Sequence, residues 1–373
     1  MKMKRLLIFH RSIAPYRIDF FNDITSHYDA TVVLDYKNLQ SQKFDYEAIQ
    51  EAMTYTPEFL EKWFKLGKRT FYEGYGKYIR KTNPDIVIAN EYGLNLWVAI
   101  AHNLFRRKKF KIITICDDSM RIAITCSGVR KAARNLAIKF LDGLVLCSVD
   151  MEKWYRSNFK IDTFAFPIIY KEDSIRQKLS DSQKLAEGFV KKYDLEGYKV
   201  FGFVGRLAPE KNIGYLVDSF IQACEKHDDV KLLIVGGDSS EDQHNKRKLL
   251  EKITKSKCDR IILCGRHEGQ ELYALYNCIQ VLVLPSSYEP FGAVTAEALS
   301  AGAFAMISDR AGSACLVNEE NGVVFDINEP YIDFELLLDR INALTLPLKL
   351  RETKMPILYS QLMTELTNWI DEL

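Results

Sequence analysis

Short runs of Val, Ile and Leu alternate with longer amphipathic segments along most of the chain. Continuous apolar runs of about five to seven residues are typical of strands that are buried on both faces of a parallel sheet. Helical periodicity fills the segments between them, for example 63–82 and 129–141. In the first half, the runs lie at 5–10, 30–36, 85–90, 111–116 and 143–148.

The same alternation restarts in the second half, after a polar stretch at 167–198. The second set of runs lies at 199–205, 230–236, 260–265, 280–285 and 303–308. Two rounds of strand–helix alternation predict an α/β chain of two doubly wound, Rossmann-like domains that face a central cleft. We expect an N-terminal domain at 1–170 and a C-terminal domain at 171–350.

The tail at 351–373 has no strand signal and predicts a helix. Its apolar residues recur at a spacing of four, which gives the helix one apolar face. We expect this helix to pack back on the N-terminal domain. The residues of the apolar face are Leu358, Leu362, Leu366 and Ile370.

Composition narrows the functional classes. The 373 residues include 51 Lys and Arg and 50 Asp and Glu, a balance that argues against broad nucleic-acid binding. The eight cysteines have no C-x-x-C spacing, which favours free thiols in a reducing compartment over a zinc site. The first residues lack the pattern of a secretory signal, and no run approaches ~18 apolar residues. We therefore expect a cytoplasmic protein.

Two basic segments of the first half leave a second expectation open. Residues 106–109 read Arg-Arg-Lys-Lys, and Arg130, Lys131, Arg134 and Lys139 follow closely. A solvated turn and helix face explain them, and so does peripheral contact with the anionic inner face of a membrane.

Ligands of doubly wound sheets bind in the loops after the strands, and the loop after the run at 280–285 is rich in chemistry. Glu289 lies in this loop, and Gly292 opens a predicted helix that carries Glu297. Free N–H groups at a helix start suit a phosphate, and carboxylates beside them accept hydrogen bonds from sugar hydroxyls. The segment therefore suits a nucleotide sugar, although each Glu alone is equally compatible with a solvated carboxylate.

A second loop, after the strand at 199–205, brings two cations. Arg206 and Lys211 follow Gly205, and both could neutralise a diphosphate and the charge that builds on it as it departs. Surface charges paired with Glu210 are the simpler alternative.

Together, the pattern G-R-L-x-x-E-K-N at 205–212 and the pattern E-P-F-G-x-x-x-x-E at 289–297 resemble the retaining glycosyltransferases of family 4, which have the GT-B fold. The resemblance covers most of residues 200–326. It implies transfer of a sugar from a nucleoside-diphosphate sugar to a hydroxyl, with no obligatory metal or other cofactor. The acceptor it implies is a lipid-linked or a polysaccharide or lipopolysaccharide precursor.

The resemblance also implies roles for single residues. Arg206 and Lys211 hold the diphosphate, Glu289 contacts the donor sugar, and Glu297 binds the ribose. Gly205, Phe291, Gly292, Ala293 and Val294 complete the donor site, and the loop with Arg266 and His267 lies along the nucleobase. On the acceptor side, His10 and Asp117 follow strand runs and are the candidates, with structural roles as the alternative.

Two other functions stay open on this fold. A sugar-nucleotide 2-epimerase would release nucleotide without an acceptor. A non-catalytic nucleotide-sugar-binding partner would be expected to have lost Arg206, Lys211, Glu289 and Glu297, which are all present.

Overall fold

The structure, a computed structural model, describes residues 3–37, 45–66, 69–237 and 243–373. The strands found there are β1 (Arg5–His10), β2 (Asp29–Leu34), β3 (Glu58–Phe59), β4 (Trp63–Leu66), β5 (Arg69–Tyr72), β6 (Ile86–Asn90), β7 (Lys111–Cys116), β8 (Gly143–Leu146), β9 (Asp162–Ala165), β10 (Lys199–Val204), β11 (Val230–Val235), β12 (Ile261–Gly265), β13 (Val281–Leu284), β14 (Phe304–Ser308) and β15 (Gly322–Phe325).

The helices between the strands are mostly amphipathic and short. They are α1 (Ile18–His27), α2 (Tyr46–Ala52), α3 (Tyr75–Thr82), α4 (Leu94–Phe105), α5 (Met120–Thr125), α6 (Gly128–Ile138), α7 (Val149–Asn158), α8 (Glu172–Asp181), α9 (Gln183–Lys192), α10 (Ile213–Lys226), α11 (Gln243–Ser256), α12 (Gly269–Cys278), α13 (Val294–Ser300), α14 (Glu335–Leu338) and α15 (Tyr359–Glu372). Single 3₁₀ turns lie at Pro15–Arg17, Pro209–Lys211 and Gly312–Leu316. Within the described residues, no helix has the length and apolar character that a membrane span requires.

The N-terminal unit comprises Met1–Ile168 together with Ser360–Leu373. Its seven-stranded parallel sheet has the order β3-β2-β1-β6-β7-β8-β9. The final helix α15 belongs to this unit. There the ring of Trp369 lies 5.6 Å from that of Phe164, and a Cβ on Gly143 would lie 2.6 Å from the same indole. Glycine at 143 therefore makes room for α15 against the sheet.

The C-terminal unit comprises Ile169–Tyr359. Its parallel sheet has the order β12-β11-β10-β13-β14-β15. The buried rings of Phe201, Phe220 and Phe334 meet edge to face beneath it, with centroids 5.0 to 6.1 Å apart. Full burial of each ring contributes roughly 1.5–3 kcal/mol to the stability of the unit.

The predicted α/β fold with two Rossmann-like domains is confirmed, and every predicted apolar run contains a strand. The helix predicted at 63–82 is wrong in its first half. Residues 63–66 and 69–72 form an antiparallel hairpin, and the helix begins only at Tyr75. Gly74, with φ at +110°, ends the extended segment, and the aromatic and β-branched residues before it favour strands: Trp63, Phe64, Thr70, Phe71 and Tyr72.

Candidate active site

Two loops follow neighbouring strands at the centre of the C-terminal sheet. β10 and β13 pair directly, although the chain forms β11 and β12 between them. The strand order therefore reverses between β10 and β13, and such a reversal leaves a crevice at the carboxyl ends of the strands where ligands bind. The loops at 205–212 and 285–293 border this point and carry most of the predicted donor residues.

Glycines let the loops after β10, β11 and β12 lie in contact. Gly236 has φ at +153°, and a Cβ built on it would lie 1.8 Å from the carbonyl oxygen of Gly205. No other residue fits this approach. The N–H of Gly205 donates to the carbonyl of Val235 at 3.0 Å, and the N–H of Gly236 donates to that of Gly265 at 2.8 Å. The backbone thus fixes the floor from which Arg206 and Arg266 project.

An ion pair joins the two loops at the strand reversal. The Nζ of Lys211 donates to the carboxylate of Glu289, and the two side chains are only 14% and 11% exposed. The carbonyl of Glu210 also accepts hydrogen bonds from the N–H of Ser287 at 2.9 Å and from its Oγ at 3.2 Å. The structure therefore brings together a cation and a carboxylate that lie 78 residues apart in sequence.

Arg206 lies on the same loop but is held far less firmly. Its guanidinium is 3.1 Å from the carboxylate of Glu210, and the side chain is 61% exposed. An exposed pair of this kind contributes at most about 1 kcal/mol, so Arg206 is easily drawn to a stronger anion. The pairing with Glu210 that the sequence left open does exist, and it leaves the guanidinium accessible.

The loop before α13 presents backbone donors. Gly292 has φ at +92°, and a Cβ there would lie 2.8 Å from Leu284 and 3.1 Å from the Oγ of Ser313. Among the described residues, none accepts a hydrogen bond from the N–H of Gly292, Ala293 or Val294. The helix begins at Val294 with Ala293 as its N-cap, two residues later than predicted. These three N–H groups nevertheless remain open to an anionic ligand.

Phe291 and Ser313 fix the shape of this loop. Phe291 is buried, and its carbonyl accepts a hydrogen bond from the N–H of Ser313 at 2.7 Å. The Oγ of Ser313 in turn lies 2.8 Å from that of Thr295, which is also buried. Phe291 therefore anchors the loop rather than offering a surface to a ligand.

Glu297 lies within α13 between two tyrosines. Its carboxylate accepts hydrogen bonds from the hydroxyls of Tyr170 at 2.6 Å and of Tyr276 at 2.5 Å. Burial raises the pKa of Glu297 above its ordinary value, and the two phenol hydrogen bonds lower it in part. Each carboxylate oxygen receives one hydrogen bond here, so a lone pair on each remains for a ligand hydroxyl.

Sequence reasoning missed both tyrosines. Tyr276 lies on a buried face of α12, where an aromatic residue is ordinary core, and Tyr170 stands near the predicted domain boundary. No spacing in the sequence connects either of them to Glu297.

The loop after β12 carries the two residues that were predicted to lie along the nucleobase, and their side chains have different surroundings. Arg266 is exposed and pairs with Glu268. His267 is directed into its own unit: its Nδ1 lies 2.7 Å from the carboxylate of Glu271 and its Nε2 3.1 Å from the carbonyl of Cys264. Because both ring nitrogens are engaged, only Arg266 offers a side chain to a ligand without rearrangement.

In the N-terminal unit, the acceptor-side candidates lie at the carboxyl edge of the sheet. Asp117 follows β7 and pairs with the buried guanidinium of Arg17. His10 ends β1, and its Nδ1 lies 2.8 Å from the carbonyl of Ser12. Burial lowers the pKa of His10 to about 4, against a partial opposing effect of the negative charge of Asp117. His10 is therefore neutral near pH 7.

Other charged residues at the carboxyl edge of the N-terminal sheet were not predicted from the sequence. Glu91 follows β6 with φ at +51°, and its carboxylate lies 4.0 Å from the guanidinium of Arg11. Burial raises the pKa of Glu91. Arg17 and Asp117 lie 100 residues apart in sequence, so their buried pairing has no signature in local spacing.

Comparison with protein families gives a match in the C-terminal half. The family model described as "Glycosyl transferases group 1" matches residues 187–346. This range includes every strand of the C-terminal sheet and both loops at the strand reversal.

Curated relatives match segments of about the same length as the family model does. "Uncharacterized glycosyltransferase MJ1607" of Methanocaldococcus jannaschii is 34% identical over 128 residues, which are 34% of this chain and 31% of the relative. "Capsular polysaccharide biosynthesis glycosyltransferase CapM" of Staphylococcus aureus is 29% identical over 174 residues, which are 46% and 43% of the two chains. The matched segments span less than half of the length of these relatives.

Solved structures match along the whole chain. Anabaena Alr3699/HepE in complex with UDP has a TM-score of 0.73 at 17% identity and covers 100% of both chains. Sucrose-phosphate synthase of Thermosynechococcus elongatus has a TM-score of 0.66 at 16% identity and covers 99% of this chain and 98% of its own. The chain thus has the GT-B fold, and residues 187–346 of its C-terminal unit are similar to the group 1 glycosyltransferases.

Proposed function

We propose that this protein is a retaining glycosyltransferase of family 4, which moves a sugar from a nucleoside-diphosphate sugar to a hydroxyl group. The observation that carries the proposal is the pairing of Lys211 with Glu289 at the strand reversal, beside three unengaged backbone N–H groups. A cation and N–H donors suit a diphosphate, and a carboxylate suits a sugar hydroxyl. The family match over 187–346 supports the same reading.

Binding of the diphosphate uses Arg206, Lys211 and the N–H groups of Gly292, Ala293 and Val294. In the free protein, Arg206 is held only by an exposed ion pair, and the N–H groups have no partner among the described residues. Lys211 and the N–H groups are in place before the ligand arrives, so little of the binding free energy is lost to ordering them, whereas Arg206 exchanges Glu210 for the diphosphate. They also become more effective as negative charge grows on the departing diphosphate.

The transfer step breaks the bond between the anomeric carbon and the diphosphate oxygen, and it forms a bond from that carbon to the acceptor oxygen. The acceptor proton passes to the departing diphosphate on the same face of the sugar, which retains the anomeric configuration. Glu289, neutralised by Lys211, contacts the sugar hydroxyls and positions the ring. Glu297 accepts hydrogen bonds from the ribose, and Arg266 lies along the nucleobase. No metal ion takes part in this scheme.

We infer that the acceptor is a lipid-linked sugar or a polysaccharide precursor. A relative named for capsular polysaccharide biosynthesis, CapM of Staphylococcus aureus, supports this class. On the acceptor side, the Arg17–Asp117 pair places a carboxylate at the carboxyl edge of the N-terminal sheet, and neutral His10 lies close to it. We propose that Asp117 orients the acceptor hydroxyl and that His10 supports the loop after β1.

The experiment is a donor screen with purified protein and a panel of saccharide and lipid-linked acceptors. We expect acceptor-dependent release of one nucleoside diphosphate, unchanged by EDTA, and a product with the anomeric configuration of the donor by NMR. Lys211→Met should slow the transfer by about 100-fold, since it removes one charged donor to the leaving group. The exposed Lys226→Met is the matched control and should act like wild type.

Three outcomes overturn the proposal. An inverted anomer would exclude retention. Acceptor-independent release of nucleotide with an epimerised sugar would identify a 2-epimerase. Binding of a nucleotide sugar without transfer to any acceptor would identify a non-catalytic nucleotide-sugar-binding partner.

A further inference from the structure

An apolar stripe runs along the solvent side of α6. Val129 is 87% exposed, Leu136 48% and Phe140 38%. Val129 and Leu136 are seven residues apart, and Phe140 follows four residues later in a continued helical turn. These spacings place the three side chains on one face. A helix of a globular protein usually directs such a face to the core, whereas this one directs it to solvent.

The end of α4 extends the stripe. Phe105 is 90% exposed and Leu104 54% exposed. Leu104, Phe140 and Lys109 line one groove between α4 and the turn that follows α6. We call Leu104, Phe105, Val129, Leu136 and Phe140 the α4–α6 surface. Contiguous exposed apolar side chains of this kind mark an interaction site.

The surroundings of this surface are basic. The sequence from 92 to 116 and from 119 to 141 has no Asp or Glu, and the second segment alone has five Lys and Arg. Arg107, Lys131 and Lys139 are exposed and make no ion pair within the described part of the chain. Lys139 and Lys109 line a second groove that shares Phe140 with the first, and the two carboxylates of this groove, Asp85 and Asp142, pair with Lys108 and Lys111. Lys139 and Lys109 therefore lie beside Phe140, and the Nζ of Lys109 donates to the carbonyl of Leu104 at 2.9 Å.

We propose that the α4–α6 surface docks on the surface of an anionic lipid bilayer, with its apolar side chains among the acyl chains and its cations at the headgroups. Helices with an apolar face and a Lys/Arg-rich polar face lie in the membrane interface. A second copy of this chain fits poorly as a partner, because a self-complementary contact would bring the Lys and Arg residues around this surface close to the same residues of the other copy.

The number of cations determines how much the charges add to the affinity for an anionic membrane. Each Lys or Arg near an anionic membrane surface contributes roughly fivefold to binding, so Arg107, Lys131 and Lys139 together contribute roughly 100-fold. This attraction falls as salt rises, since the Debye length shortens from about 10 Å at 0.1 M to about 3 Å at 1 M. The docking does not depend on the proposed transferase activity.

The test is co-sedimentation of the full chain with vesicles of phosphatidylcholine, with or without about 30 mol% phosphatidylglycerol. We expect binding to the anionic vesicles only, and its loss at high salt. Phe105→Asp with Val129→Asp, and separately Lys131→Glu with Lys139→Glu, should each weaken binding at least tenfold. All four side chains are exposed, so the fold should tolerate the changes, which circular dichroism and the melting temperature verify.

Matched controls carry the same changes elsewhere. Leu336→Asp removes an exposed leucine of the C-terminal unit, and Lys184→Glu with Lys191→Glu reverses two exposed lysines of α9. These variants, and the donor-site variant Lys211→Met, should bind vesicles like wild type. If the proposed transferase activity is not found, the result of the vesicle-binding experiment therefore still stands.

Three results overturn the proposal. One is no binding to anionic vesicles at low salt, and another is equal losses in test and control variants. The third is self-association that Phe105→Asp abolishes in the absence of vesicle binding, which would assign the surface to a second copy.

Discussion

The ion pair between Lys211 and Glu289 allows the site to be tested through stability as well as binding. Both side chains are about nine-tenths buried, so removal of one leaves the other charge poorly solvated. Breaking a buried pair costs about 3–5 kcal/mol. Because each side chain retains some contact with solvent, we take the lower end of this range, about 3 kcal/mol, for Lys211→Met.

This loss corresponds to a fall in melting temperature of about 6–12 °C for a domain of this size. Glu289→Gln should lose a similar free energy. The double variant should be more stable than the sum of the two single losses implies, because it leaves no uncompensated charge. Urea denaturation of the four proteins measures the free energy of unfolding and so the coupling.

Nucleotide affinity should distinguish the roles of Lys211 and Glu289. Lys211→Met should weaken the affinity for the preferred nucleoside diphosphate by about 10- to 100-fold, which is the contribution of one charged hydrogen bond. Glu289→Gln should keep or raise that affinity, since it removes a negative charge beside the diphosphate, while sugar transfer falls. Titration calorimetry measures both. Equal weakening of nucleotide binding in the two variants, or strictly additive losses of stability, would show that Lys211 and Glu289 do not act as a coupled pair beside the diphosphate.

Three further predictions concern Tyr276 and Gly236 of the C-terminal unit and His10 of the N-terminal unit. Tyr276→Phe removes a hydrogen bond that lowers the pKa of Glu297, so nucleotide affinity should begin to fall at a higher pH than in wild type when a calorimetric series is run downward in pH. Gly236→Ala should abolish nucleotide binding and destabilise the C-terminal unit by more than about 3 kcal/mol in urea denaturation, because its Cβ overlaps a carbonyl oxygen. Gly188→Ala, in open space within α9, is its control and should stabilise by up to about 1 kcal/mol. The pKa of His10 is lowered from 6.5 to about 4, so between these two pH values the unfolded chain binds a proton that the folded chain does not. The free energy of unfolding should therefore fall by up to about 3 kcal/mol as the pH drops from 6.5 to about 4. A His10→Leu variant should lack this pH dependence.

Most of the fold could be predicted from sequence because buried parallel strands leave continuous apolar runs. Every run that was assigned as a strand contains one, from Arg5–His10 to Phe304–Ser308. The strands at Asp162–Ala165 and Gly322–Phe325 were missed because their positions are only partly buried and their runs are short. The hairpin before Tyr75 was missed because its aromatic residues also fit a helical spacing.

The candidate site could be predicted only as a set of loop residues. The strand order shows why Arg206, Lys211 and Glu289 share one place, since the reversal between β10 and β13 is a tertiary property. Contacts across long sequence separations, such as Tyr170 with Glu297, have no local signature. His267 shows the converse, because its motif position suggests a ligand contact while its ring nitrogens bind within its own unit.

The most direct test of the central proposal is titration of UDP, GDP, ADP and CMP into wild type, Lys211→Met and the control Lys226→Met. We expect one nucleoside diphosphate to bind wild type and the control equally, and to bind Lys211→Met about 10- to 100-fold more weakly. Equal affinity in all three proteins would contradict the placement of the diphosphate at the strand reversal, and no binding by wild type would contradict the transferase itself.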